Sequence, residues 1–159
     1  MLAVALGLGG YWLYGKVFPS DEKIIRTTFE KVAAAASIKP GDGTFAKLGA
    51  VNELLSYFAP DVSISLEGVP SEAREIEGLG PLRELALAAR ANLRAADVSF
   101  TDVYVEIDSG AETATARMIG RAQLSGTDPP WYQELKVALR KVDGKWKIAR
   151  VGSVKGLTM

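Results

Sequence analysis

The 159-residue chain contains neither histidine nor cysteine. That removes an imidazole base, a Ser-His-Asp triad, a thiol nucleophile, a disulfide and a zinc site of the usual Cys/His kind. Acid–base chemistry would therefore fall to carboxylates and phenols. Two carboxylates stand where such chemistry would need them. Glu67 follows Leu66 at the end of an alternating run, and Asp61 opens that run. A carboxylate at the mouth of a pocket becomes a general base when burial raises its pKa. Each also has a plainer reading. Glu67 belongs to a charged loop with Glu72, Arg74, Glu75 and Glu77, and Asp61 marks a helix exit. Tyr57 can place a hydroxyl at the mouth or pack with a wet tip. Trp131 and Tyr132 can line a ligand entrance or cover an open core edge. Arg117 and Arg121 can clamp an anion or pair with acids, and Trp146 closes the core. No catalytic residue is assigned; Glu67 and Asp61 are the candidates to test. No metal site and no cofactor are expected.

The elements that must position these groups read as helices first and strands afterwards. Ser20 followed by Asp21 and Glu22 is a helix start, and Ile25, Phe29, Val32 and Ala36 recur at helical spacing as far as Ser37. Lys39-Pro40-Gly41-Asp42-Gly43 is a turn cluster. A second helix carries Leu48, Val51, Leu55 and Phe58 on one stripe and ends at Pro60. Asp61 to Leu66 alternates as a half-buried strand. Residues 67–80 read as a loop, and Gly80-Pro81 opens a third helix with Leu82, Leu85, Ala86, Ala89 and Leu93 on its buried side. From there the period falls to two. Strands are expected at 97–108, 112–125, 131–142 and 145–154, with hairpin signals at Asp108-Ser109-Gly110 and Asp143-Gly144. The fold class is α+β: three helices on a curved, mostly antiparallel sheet of four to five strands.

Strand alternation predicts what lines the interior. A tight turn at Ser109-Gly110 pairs Val105 with Ala114 and Val103 with Ala116, which puts Asp102 opposite Arg117. That cross-strand pair is worth at most about 1 kcal/mol. The inner face then carries Val103, Val105, Ala116, Met118, Leu135 and Val137, and with Tyr57 and Trp131 these are the expected pocket lining. The opposite face carries Tyr104, Glu106, Arg117, Arg121, Lys136 and Arg140. Small residues along 114–122 either draw the helices close or leave an apolar cavity. No Asp, Glu, Lys, Arg or Tyr is expected on the strands' inner face.

The element order resembles the nuclear transport factor 2-like superfamily, whose cone-shaped fold includes ketosteroid isomerases and polyketide cyclases. The resemblance covers about residues 20–155. It rests on Leu55-Ser56-Tyr57-Phe58-Ala59-Pro60-Asp61-Val62, on Glu77-Gly78-Leu79-Gly80-Pro81-Leu82-Arg83 and on Asp143-Gly144-Lys145-Trp146-Lys147-Ile148. It implies an acid–base site of one carboxylate and two oxyanion donors. In this sequence the base position falls on Leu66, the helical tyrosine on Phe29, and the donor carboxyl near Val137 or Ala138. Each departure exchanges a working polar group for an apolar one, so the isomerase activity does not carry over.

Residues 1–18 differ from the rest. They are apolar from Leu2 to Tyr14, with Tyr11, Trp12 and Tyr14 at one end and Lys16 beyond them. A bilayer span needs roughly 20 apolar residues, so the stretch is expected to be an anchor helix preceding a domain over 19–159. A signal peptide or a helix packed on the domain are the alternatives. The flanking Lys16, Lys23 and Arg26 favour a cytoplasmic domain, whereas an apolar run beginning at Met1 favours an extracytoplasmic one, the expectation carried forward. Nineteen basic and nineteen acidic residues give no net charge, so no nucleic-acid partner is expected. The combined expectation is a membrane-anchored, non-catalytic domain for binding or assembly, dimerising through the open sheet face. A small-molecule isomerase, cyclase or dehydratase and a carrier of a small apolar ligand are the alternatives.

Overall fold

In a computed structural model, which describes residues 20–69 and 74–154, the chain is launched by the predicted cap. The backbone N–H of Lys23 donates to Ser20 Oγ over 3.3 Å. Asp21 and Glu22 lie in the positive first turn of α1, Asp21–Ala36. Its buried side is Ile25, Thr28, Phe29, Val32 and Ala35. α2, Thr44–Ser56, departs from expectation. Only Val51 is buried along it, and Leu48 faces solvent. The helix ends before Pro60 because Phe58 already belongs to β1, Phe58–Ser65. α3, Leu79–Asn92, begins at Gly78, whose φ of 88° suits glycine. Pro81 therefore lies in its first turn, where a missing N–H costs no helical bond.

The sheet has six strands, not four to five. They are β1, β2 (Glu75–Glu77), β3 (Ala96–Ile107), β4 (Thr113–Leu124), β5 (Trp131–Val142) and β6 (Lys145–Ser153). Their order is β2-β1-β6-β5-β4-β3, with β1 parallel to β6 and the other pairs antiparallel. The unforeseen strand is β2. It lies in the expected loop and buries one side chain, Ile76, opposite Ile64. Three residues are too few to display an alternation.

The β3–β4 register also differs. Ile107 pairs with Ala114 and Val105 with Ala116, and Tyr104, not Asp102, stands opposite Arg117. The turn is longer than two residues, and β3 takes an irregular step between Thr101 and Tyr104. Asp102 has φ 53° there, as expected of a bulge. Near the turn the slip is two residues, so each side chain keeps its face. At the β5–β6 turn the expectation holds: Val142 pairs with Lys145, and Asp143 and Gly144 both have positive φ.

The helices cover one face of this curved sheet. The core there gathers Ile25, Phe29 and Val32 of α1 with Val62, Ile64, Met118, Leu135, Val137, Leu139, Trp146 and Ile148 of the strands. The expected localisation, a single-span membrane protein, is corrected: among the described residues no helix is long and apolar enough to cross a membrane. The expected anchor helix over 1–18 lies outside the described residues.

Candidate functional site

The inner face has the composition that strand alternation dictates. Ala114, Ala116, Met118, Leu135, Val137 and Leu139 are all buried, and Val103 and Val105 are half-buried against them. Among the described residues only two buried side chains are polar, Thr28 and Arg90. The Thr28 hydroxyl donates to the Ile24 carbonyl in its own helix at 2.9 Å. Arg90 Nη2 donates to the carbonyls of Ala35 at 2.5 Å and Ser37 at 3.1 Å, at the C-terminal end of α1. Neither group faces a carboxylate, and the sheet contributes no buried ionisable residue.

Gly120 shows how the small residues of β4 are used. A Cβ built there would lie 2.9 Å from Leu135 Cδ1 and 3.4 Å from the Trp131 ring. The neighbouring side chains have filled the space that the glycine leaves, so this stretch of strand packs closely. Open volume lies at the margins. A recess of about 170 Å³ sits beneath α3 among Ala35, Leu54, Leu82, Leu85 and Ala89, with Arg90 at its rim. It is the size of a cavity that holds one small ring. A second, about 350 Å³, opens between α1 and β3 at Phe29, Phe100 and Val103.

The two candidate carboxylates stand outside. Glu67 lies just beyond β1. Its backbone N–H donates to Ser153 Oγ at 2.9 Å and its carbonyl accepts from Trp131 Nε1 at 3.4 Å. Its side chain is exposed. Asp61, also exposed, accepts from the Arg140 guanidinium. That bond holds its carboxyl below the usual carboxylate range, against a smaller opposing effect of burial. A group so stabilised as the anion is a poor base; a general base near neutral pH needs the opposite shift. Tyr57 donates its hydroxyl to Glu53 Oε1 at 2.9 Å, one turn back on α2. Burial, then the bond to the Glu53 carboxylate and its charge, pushes the phenol up, so it stays protonated. Trp131, the first residue of β5, has its indole close to Gly68 as well as Gly120. The lining expected from sequence thus divides. Val103, Val105, Ala116, Met118, Leu135 and Val137 pack in the core, while Tyr57 and Trp131 are tied to polar groups at its edges. Among the described residues no cluster of three or more acidic side chains could hold a metal ion.

The outer face gathers the polar groups. Tyr104 of β3 and Tyr132 of β5 are 64% and 60% exposed. Arg117 pairs in register with Tyr104, and Arg121 with Tyr132. Arg121 Nε donates to the Tyr132 hydroxyl at 3.1 Å, and its guanidinium lies 5.9 Å from that ring's centroid and 3.4 Å from the Asp97 carboxylate. The same strands form a shallow groove of about 430 Å³ at Asp102, Arg117, Ile119, Tyr132 and Glu134. Sequence reading missed the bulge that bends this groove, yet a signal was present. The apolar positions of β3 change parity, from Val98 and Phe100 to Val103, Val105 and Ile107. One extra residue must intervene.

The family model for the SnoaL-like domain matches residues 43–152. No curated protein matches the chain by sequence. Solved structures do. A protein of unknown function from Mycobacterium tuberculosis is 22% identical, with a TM-score of 0.63 over 86% of this chain and 75% of that one. A candidate scytalone dehydratase from Novosphingobium aromaticivorans is 15% identical, with a TM-score of 0.64 over 85% of each chain. A candidate dehydratase of the nuclear transport factor 2-like family from Streptomyces avermitilis is 17% identical, with a TM-score of 0.60 over 86% of this chain and 98% of that one. At such identities the likeness is one of fold.

Proposed function

The chain belongs to the SnoaL-like domain family, and from that premise we propose that it is a non-catalytic member acting in binding or assembly. One observation carries this reading. The face that would hold a reaction has no ionisable group among the described residues, and the one buried charge, Arg90, is bound to backbone carbonyls. Proton transfer needs a group that can take up or release a proton at the reacting atom, and here the two candidate carboxylates, Glu67 and Asp61, are exposed.

Assembly is the part of the reading that the outer face supports. Exposed tyrosines beside arginines are the residues that most often anchor protein interfaces. The face carries both signs of charge, with Asp102 and Glu134 set among Arg117, Arg121 and Lys136. A surface that carries both signs of charge can complement its own copy across a two-fold axis. The partner is thus a second copy of this chain. The recess beneath α3 supports a smaller role beside it, uptake of a small apolar molecule.

Sedimentation equilibrium of the full chain tests the reading. A dimer is expected, and Tyr104→Glu should weaken it about tenfold or more while the circular dichroism spectrum stays unchanged. A chain that remains monomeric at every concentration would refute assembly through this face. The second reading, a dehydratase, draws on the names of two similar structures. It requires Glu67 to reach a substrate, so a dehydration activity lost in Glu67→Gln would decide for it.

A further inference from the structure

Arg90 is 6% exposed and has no carboxylate partner. The ion pairs among the described residues join Arg26 to Glu22, Arg121 to Asp97, Arg140 to Asp61 and Lys141 to Asp21. Its Nη2 is taken by the carbonyls at the end of α1. Nε and Nη1 have no hydrogen-bond partner among the described residues. A guanidinium offers five donors in a rigid fork, so part of this fork is unused.

The same side chain forms one wall of a recess of about 680 Å³ between the α1–α2 turn and the C-terminal end of α3. Lys39, Lys47 and Arg94 line the recess with it, and Asp42 is the one acid there. Four cations to one carboxylate repel one another in a partly enclosed space, where screening is weaker than at an open surface. α2 begins beside this recess with no side chain capping its first amides, which adds positive potential. The volume falls in the range of small-molecule sites.

We propose that this recess binds a phosphorylated small molecule, with the phosphate held by Arg90 and the charges of Lys47 and Arg94 and the rest of the molecule occupying the remaining volume. The site is separate from the inner face and from the sheet surface proposed for assembly, so neither depends on the other. Arginine suits it because Nη1 can donate to a phosphate oxygen while Nη2 stays on the helix carbonyls.

The test is calorimetric titration of the full chain with inorganic pyrophosphate at low salt. Saturable binding is expected, weakened about tenfold in Lys47→Gln and again in Arg94→Gln, since each removes a charge-assisted contact. Both variants should keep the parent circular dichroism spectrum, and Tyr104→Glu should bind as the parent does. Arg90→Lys also unties α1, so the two other variants decide. Absence of saturable binding, or binding as tight as the parent's in both variants, would overturn the proposal. Binding to phosphatidylglycerol vesicles without binding to pyrophosphate would overturn it too, by assigning the charge to an open surface.

Discussion

The inner and outer faces of β3, β4 and β5 are built from alternate residues of the same three segments, yet they have opposite chemistry. Along β4, Ala114, Ala116, Met118 and Gly120 turn inward and are buried, while Arg117 between them is exposed. On the inside, side chains fill each other's space, as Leu135 does above Gly120. On the outside, arginines meet tyrosines and acids in contacts that water can reach. The lesson is about where charge can be kept. The inner face of these strands is filled with aliphatic groups, and their titratable residues stand on the outer face, as Arg140 does in its ion pair with Asp61.

This contrast can be broken from either side. The largest effect is expected from a carboxyl placed inside. Val137 is 2% exposed, and Val137→Asp should cost about 4 kcal/mol at neutral pH, the order for an unpaired buried charge. Overpacking should cost less. Gly120→Val puts a branched side chain where a Cβ alone already meets Leu135, for a loss of about 2 kcal/mol in urea unfolding. A value near zero would mean that the interior holds spare volume. On the outer face, Tyr104→Glu should leave unfolding almost unchanged and shift only the dimer equilibrium, by the tenfold given above.

Asp61→Asn should have the smallest effect. Its carboxyl lies lower in the folded chain than in the unfolded one, so its contribution is present above the unfolded value. That contribution is lost as pH falls through the folded one. Thermal midpoints of parent and variant should therefore differ slightly at neutral pH and converge in acid. Divergence in acid would contradict the ion pair.

Much of this contrast is legible in the sequence. The strand faces were legible because alternation survives a two-residue slip, and the Ser20 cap and the Asp143-Gly144 turn were legible because each is a local rule. What escaped depended on tertiary contact. β2 is held by a single buried side chain, Ile76. α2 stops early because Phe58 is recruited into the sheet. Arg90 follows Ala89 of the expected buried stripe of α3 but was not itself foreseen as buried. Its burial depends on the carbonyls of Ala35 and Ser37, more than fifty residues away. The bulge at Asp102 lies between these cases, since the change of parity in β3 announced it.

The pH dependence of Val137→Asp stability tests the sealed interior most directly. In a dry core the new carboxyl stays protonated well above its ordinary pKa. Folded-state pKa then exceeds unfolded-state pKa, so the variant should be least destabilised in acid and lose stability progressively as pH rises toward 8. The parent should not share that slope. If the variant instead tracks the parent across the pH range, the carboxyl ionises freely in a hydrated pocket, and the account of a closed, proton-inert cone is wrong.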